Sequence, residues 1–342
     1  MKHLPSLPKR KPLRFVMTII SMFSLACVFC CSVVINTHYP QDTYAPAIFP
    51  DTEIVYTVYK GLGFVNSDGS LFSNLDFAVK IVGDRLSGYS GRIAQPVITA
   101  NDQVIARIYP ADFFNVRPYY LALWRTNAPP IVCKQWGEQR TLLLSSDQRH
   151  VFIQTEQGLE LYTLESCGTD DPPVKVYENV FGIPSPNLQY VAYVKHTGEW
   201  DDKRFIVVRE LSSSVEFVVG EGDYPAWSRD SQWIAYTGED GIYIVRVIKG
   251  TKPRRLILYL NPSGTAHLAY RVVDDIWPPE VAWSPDGKWL VYHKLAIADY
   301  VHAIAPSDYA IYKLNIETGE EIKIIDGGMY PYWRWPAEQP GE

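Results

Sequence analysis

The stretch VAWSPDGKWLVY, Val281 to Tyr292, reads as two β-strands around a tight turn. Pro285 fixes φ for that turn, Gly287 tolerates φ > 0, and Lys-Trp-Leu-Val-Tyr is rich in strand formers. Degraded copies recur upstream. Trp227-Ser228-Arg229-Asp230 leads into QWIAY at Gln232 to Tyr236, and Pro184-Ser185-Pro186-Asn187 leads into QYVAY at Gln189 to Tyr193. A fainter copy runs from Ser145 through Asp147 to Ile153, and the faintest surrounds Asn101-Asp102 before Val104 to Ala106. The turn serines are spaced by 40 residues (Ser145 to Ser185), 43 (to Ser228) and 56 (to Ser284), near the period of an array of supersecondary units.

A second signal sits at a fixed offset. Tyr236 is followed five residues later by Gly241 and IYIV, Ile153 by Gly158 and LELY, and Tyr56 by Gly61 and LGFV, which predicts hairpins into a third strand. RLILYL at Arg255 to Leu260 and EIKII at Glu321 to Ile325 supply fourth, outer strands. Four antiparallel strands per repeat of about 40 residues make the blade of a β-propeller. The chain ends complete one blade: YPYW at Tyr330 to Trp333 matches YPAW at Tyr224 to Trp227 but lacks a following strand, which FPDTEIVYT at Phe49 to Thr57 provides. With blades begun near Pro96, Thr141, Ile183, Pro225 and Val281, the expectation is an all-β, six-bladed propeller of four-stranded antiparallel blades. Pairing of its N- and C-terminal strands leaves no open sheet edge.

Composition agrees with many short strands. Of 342 residues, 13% are aromatic, and 25 Pro and 22 Gly supply turns. A net charge of -6 with no Lys/Arg-rich run beyond the N-terminus argues against a sequence-independent nucleic-acid binder.

Lys2, Lys9, Arg10, Lys11 and Arg14 form a basic tail, residues 1–14, ahead of an uncharged run from Phe15 to Ile35. Those 21 residues suffice for a helix to cross ~30 Å of hydrocarbon. No Lys or Arg follows until Lys60, so the expected topology is a single-pass signal-anchor with a cytoplasmic N-terminus and an extracytoplasmic remainder, at the cell surface or in a periplasm. A cleaved signal peptide is the rival reading, since Ser24-Leu25-Ala26 suits a signal peptidase, but the apolar run continues past it. Cys27, Cys30 and Cys31 lie inside the run and read as apolar filler; acylation is their alternative role. Residues 36–48 read as a linker, 49–335 as the propeller and 336–342 as a C-terminal tail.

At these residues the sequence resembles the TolB-like propeller repeats, whose hallmark is a Trp-Ser-Pro-Asp-Gly-Lys turn followed by an aromatic-aliphatic strand. The resemblance covers about Phe49 to Trp333 and implies an extracytoplasmic six-bladed propeller of a kind that commonly serves as a protein-binding platform. The chain departs from TolB itself in having no expected room for the α/β domain that precedes that propeller.

Asp286, Asp230, Asp147 and Asn187 recur in the turns, where an Asx side chain caps its own turn without any ligand. Trp227, Trp283 and Trp333 read as repeat residues buried between blades. His3, His38, His150, His196, His267, His293 and His302 show no ligand spacing, so neither metal nor cofactor is expected. No G-x-S-x-G elbow, P-loop or dinucleotide fingerprint occurs. Cys133 and Cys167 are candidates for a disulfide in an oxidising compartment. Against it, Cys133 is expected to end an outer strand and Cys167 a third strand; these run in opposite directions, which puts the sulfurs near opposite faces.

Function is sought where the repeat is broken. The connection between second and third strands and the connection between blades open on one face. Long insertions are expected there at Tyr109 to Pro118, His196 to Arg204, Asn261 to Pro279 and Lys294 to Asp308. They carry Phe113, Phe114, Arg117, Trp200, Asp201, Asp202, Tyr300 and His302, aromatic and charged groups of the kind that anchor interfaces. The resulting expectation is a monomeric, membrane-anchored, non-catalytic module that binds a protein or glycan partner. A hydrolase or lactonase with a metal or small-molecule site at the channel mouth is the alternative.

Overall fold

The computed structural model describes residues 51–58, 61–76, 80–82, 85–110, 119–125, 131–136, 142–145, 148–197, 203–238, 240–258, 281–296 and 305–336. All belong to the unit Ala45–Glu342. The predicted span 15–35 lies outside them, as do residues 1–14, 36–48 and 337–342. Among the described residues no helix is long and apolar enough to cross a membrane.

Six antiparallel sheets follow one another along the chain. The first, or closing, blade runs from the innermost strand outward as Met329–Trp333, Ile54–Val58, Gly61–Val65 and Ser73–Asp76. Ile54 pairs with Trp333 and Val55 with Tyr332, so the two ends of the propeller share one sheet. The third blade is Leu142–Leu144, His150–Thr155, Gly158–Thr163 and Lys175–Glu178; the fourth is Ile183–Pro184, Tyr190–His196, Arg204–Glu210 and Glu216–Glu221. Asp223–Trp227, Trp233–Thr237, Gly241–Arg246 and Arg254–Leu258 make the fifth. Val281–Trp283, Trp289–Leu295, Tyr309–Asn315 and Glu321–Asp326 make the sixth.

The second sheet departs from the four-stranded expectation. It has five strands: Lys80–Val82, Arg85–Ile98, Gln103–Pro110, Tyr119–Arg125 and Ile131–Trp136. Its long strand serves two partners. Arg85, Leu86 and Ser90 pair back with Lys80–Val82, while Gly91 to Ala94 pair with Pro110 to Arg107, and Val97 and Ile98 with Ile105 and Val104, as in an ordinary innermost strand. The register shifts between Ala94 and Val97, around Pro96, which has no N–H to give a ladder.

The core is distributed between blades. Val97, Ile105, Leu121 and Leu123 of the second blade pack on Leu144, Val151 and Ile153 of the third. Ile206, Val208 and Val219 of the fourth pack on Trp227, Ile234 and Tyr236 of the fifth, and Ile242 and Ile244 of the fifth on Trp283, Leu290 and Tyr292 of the sixth. One close approach needs a missing side chain: a Cβ on Gly220, in the fourth blade's outer strand, would sit 2.0 Å from the Tyr236 hydroxyl oxygen.

Innermost strands also carry directional links. Trp227 Nε1 donates to the Ile183 carbonyl of the blade before it, and Trp283 Nε1 to the Ala226 carbonyl, each at 2.9 Å. At the closing blade the link shifts by two residues. Trp335 Nε1 donates to the Trp283 carbonyl at 3.5 Å, while the buried Trp333 Nε1 finds no acceptor among the described residues.

Cys133 and Cys167 form a disulfide with Cα atoms 4.2 Å apart, contrary to the sequence expectation. The reason is strand position. Cys133 lies near the start of Ile131–Trp136, not its end, and Cys167 lies in the connection after Gly158–Thr163, so both sit toward the same face. The bridge ties the second blade to the third.

Candidate functional site

Strand order assigns every connection to one of two faces. Links from first to second and from third to fourth strands open on one, here the turn face; links from second to third strands and between blades open on the other, the loop face.

On the turn face the repeat is closed on itself. Ser228 Oγ donates to Asp230 Oδ1 at 2.5 Å, Ser284 Oγ to Asp286 Oδ1 at 2.6 Å, and Ser185 Oγ to Asn187 Oδ1 at 2.8 Å. The same Asx oxygens accept the amides of Gln232, Lys288 and Gln189, and the serine hydroxyls accept those of Trp233, Trp289 and Tyr190. Burial pushes the Asp286 carboxyl up, but the Ser284 hydroxyl, the Lys288 amide and the Lys288 charge outweigh it and hold it below its ordinary value. These carboxylates cap turns, and none is offered to a ligand.

The long insertions leave from the loop face. Segment 111–118 joins the second and third strands of the second blade, 198–202 those of the fourth and 297–304 those of the sixth; 259–280 links the fifth blade to the sixth. Phe113, Phe114, Arg117, Trp200, Asp201, Asp202, Tyr300 and His302 all lie in these segments, outside the described residues. Their roots are described and are firmly held. The Thr197 amide donates to the Lys203 carbonyl at 3.1 Å and the Ala296 amide to the Asp308 carbonyl at 2.8 Å. A 3-10 turn over Pro306–Asp308 accepts the Gly328 amide at 2.7 Å, which pins the root of 297–304 to the closing blade.

Beneath that root lies a buried polar cluster. His293 is 1% exposed, its Nδ1 accepts the Tyr330 amide at 3.4 Å, and Tyr309 and Tyr330 meet its ring edge-on with centroids 5.4 and 5.3 Å away. Burial, then the Asp308 charge, pushes the Tyr309 phenol up to about 12.

Between the fourth and fifth blades the loop face is charged. Arg204 Nη1 meets Asp223 Oδ2 at 2.6 Å, Lys203 lies 3.8 Å from Glu221, and Asp240 takes both Arg255 and the Tyr243 hydroxyl. Desolvation followed by the hydrogen bond to Asp240 raises the Tyr243 phenol. Phe181, on the connection from third to fourth blade, is 42% exposed on this face. Sequence reasoning missed Phe181 and the Arg204–Asp223 pair. A lone Phe before an inner strand carries no pattern, and the pair joins two blades across 19 residues with no motif. Among the described residues no three His, Cys, Asp or Glu come together as a metal-holding group.

The architecture is shared with a known crystal structure, and other solved structures align at lower scores. TolB from Acinetobacter baumannii aligns with a TM-score of 0.53 at 13% identity, over 82% of this chain and 66% of that one. A putative TolB from Agrobacterium tumefaciens aligns with a TM-score of 0.47 at 17% identity, over 72% and 86%. An oligogalacturonate lyase from Vibrio parahaemolyticus gives 0.40 at 13%, over 80% and 86%. This chain therefore spans just under two-thirds of the Acinetobacter protein. No protein-family model and no curated protein sequence matches it. At such identities the likeness is one of architecture, and the chain has the fold of a TolB-like six-bladed β-propeller.

Proposed function

We propose that the chain is a membrane-anchored, extracytoplasmic binding module that takes a protein partner on the loop face of its propeller and performs no chemistry of its own. The observation that carries this is topological: four insertions leave from one face, whereas the recurring turn-face carboxylates Asp230 and Asp286 are consumed by their own turns. A propeller does not by itself select a function, so the argument rests on that asymmetry. Two features support the compartment. The uncharged run Phe15 to Ile35 follows a basic tail, and the Cys133–Cys167 bridge suits an oxidising environment. Exposed Phe181 and the Arg204–Asp223 pair lie on the same loop face, an apolar and a charged group of the kinds that protein interfaces use.

The test uses the full chain in membranes, cross-linked in place, beside a variant with residues 297–304 replaced by an equal Gly-Ser segment. That exchange keeps the Ala296–Asp308 root. One partner captured by the parent and lost from the variant is the expected result. Equal capture by both, or no partner together with a stoichiometric metal on the purified protein, overturns the reading.

A further inference from the structure

We infer that the turn-face mouth of the propeller channel is a peptide-binding site, which the chain fills with its own Arg334-Trp335-Pro336. This site lies on the face opposite the proposed partner face and does not depend on it.

The contacts put the segment on the axis. In a ring of six blades the third is opposite the sixth and the second opposite the fifth. Trp335 gives its Nε1 to the sixth blade at Trp283, and its carbonyl accepts Gln148 Nε2 of the third at 3.2 Å. Arg334 pairs with Asp102 of the second blade, and Arg229 of the fifth lies 5.9 Å over the Trp335 ring. Residues that touch both opposite pairs sit at the centre. Tyr332 stacks on Trp335 from the closing strand, with centroids 6.4 Å apart, and Trp335 is 8% exposed.

The receptor side has the form of a built site. Gln148 Nε2 also donates to the Pro336 carbonyl at 2.8 Å, while its Oε1 accepts the Ala100 amide at 2.6 Å. That last bond fixes which end of the amide faces the axis, so two donors meet successive backbone carbonyls of an extended peptide. Arg334 Nε donates to the Thr52 carbonyl at 2.9 Å, and its amide to the Glu53 carbonyl at 2.7 Å.

The gripping residues occupy a repeated position. The turn between first and second strands has a left-handed residue at one fixed position in each of five blades: Gly287 with φ 68° in the sixth, and Asp102, Gln148, Leu188 and Ser231 with φ 54°, 56°, 56° and 59° in the second to fifth. Glycine holds that conformation without strain, whereas the four other residues must tolerate it. Two of the four, Asp102 and Gln148, carry side chains that bond the C-terminal segment. The ligand class is thus an extended peptide with a basic residue next to an aromatic one, and the chain's own tail occupies the site in cis.

The experiment supplies the tail in trans. A chain ending at Trp333 is mixed with a labelled peptide of residues 334–342, and anisotropy is compared with the full chain. The shortened chain should bind the peptide at least tenfold more tightly than the full chain does. Binding should be lost with the peptide carrying Trp335→Ala or the protein carrying Gln148→Ala. A shortened chain that still melts cooperatively yet does not bind, or equal binding by both chains, overturns the inference. Should the shortened chain fail to fold, trypsin on the full chain decides. Cleavage after Arg334 should be slow in the parent and at least tenfold faster with Gln148→Ala; equal rates would show that Gln148 does not hold the segment.

Discussion

The two faces of the propeller are built from the same strands, yet they differ in what their side chains are free to do. On the turn face, Ser185, Ser228 and Ser284 and their Asx partners recur because each pair closes its own turn, and the indoles of Trp227 and Trp283 reach one blade back. On the loop face the recurring residues are backbone glycines, Gly61, Gly158 and Gly241 opening third strands and Gly182, Gly222 and Gly328 ahead of inner strands, whereas the described side-chain contacts belong to single places: a histidine between two tyrosines, an arginine on an aspartate. Repetition therefore marks what the fold consumes, and departures from it mark what is left for binding. The C-terminal segment qualifies that lesson, since it uses non-repeating side chains on the repeating face.

The comparison is broken most severely at the turn-face indoles. Trp283 is 3% exposed and packs on Ile242, Ile244 and Leu290 while donating to Ala226. Trp283→Ala is expected to lose about 3–5 kcal/mol through the cavity and the orphaned carbonyl. A denaturant melt of the full chain in detergent checks it, and a midpoint unchanged from the parent would remove the indole from its structural role.

Next in size is the bridge between second and third blades. Cys133 and Cys167 enclose a separation of 34 residues. Opening the bridge relaxes the unfolded chain and is expected to cost about 2–4 kcal/mol. Melts with and without reductant measure it, and the Cys133→Ser/Cys167→Ser double variant should match the reduced parent and ignore the reductant. A parent indifferent to reductant would mean that the interblade packing of Leu144, Val151 and Leu164 suffices there.

Much of the fold was legible because WSPDGKW and its copies specify turn chemistry and strand pattern together. The added hairpin of the second sheet was not, since Lys80–Val82 and residues 85–90 carry no copy of the turn. The disulfide was misjudged for a geometric reason: placing Cys133 a few residues too late in its strand moved it to the wrong face. Gln148 and Trp335 are 187 residues apart, and nothing local in either signals the other. For the binding face, topology assigns the insertions to one side, but the chemistry of 111–118, 198–202, 259–280 and 297–304 follows no repeat that a single sequence could reveal.

The finest distinction lies within the turn face, among its left-handed residues. Leu188 in the fourth blade has φ 56°, like Gln148, but its side chain is 36% exposed. If strain is tolerated at Gln148 for the sake of the C-terminal segment, relieving it should have opposite consequences at the two positions. Leu188→Gly removes the Cβ clash and gives back part of that gain as unfolded-state entropy, so the fold should gain about 0.5 kcal/mol. Gln148→Gly relieves the same clash but deletes the donors to Trp335 and Pro336 and the acceptor for Ala100, and should lose about 1–2 kcal/mol instead. Paired melts read the sign. Two gains of similar size would reduce Gln148 to an ordinary turn residue, whereas opposite signs would identify it as the turn residue whose side chain holds the C-terminal segment.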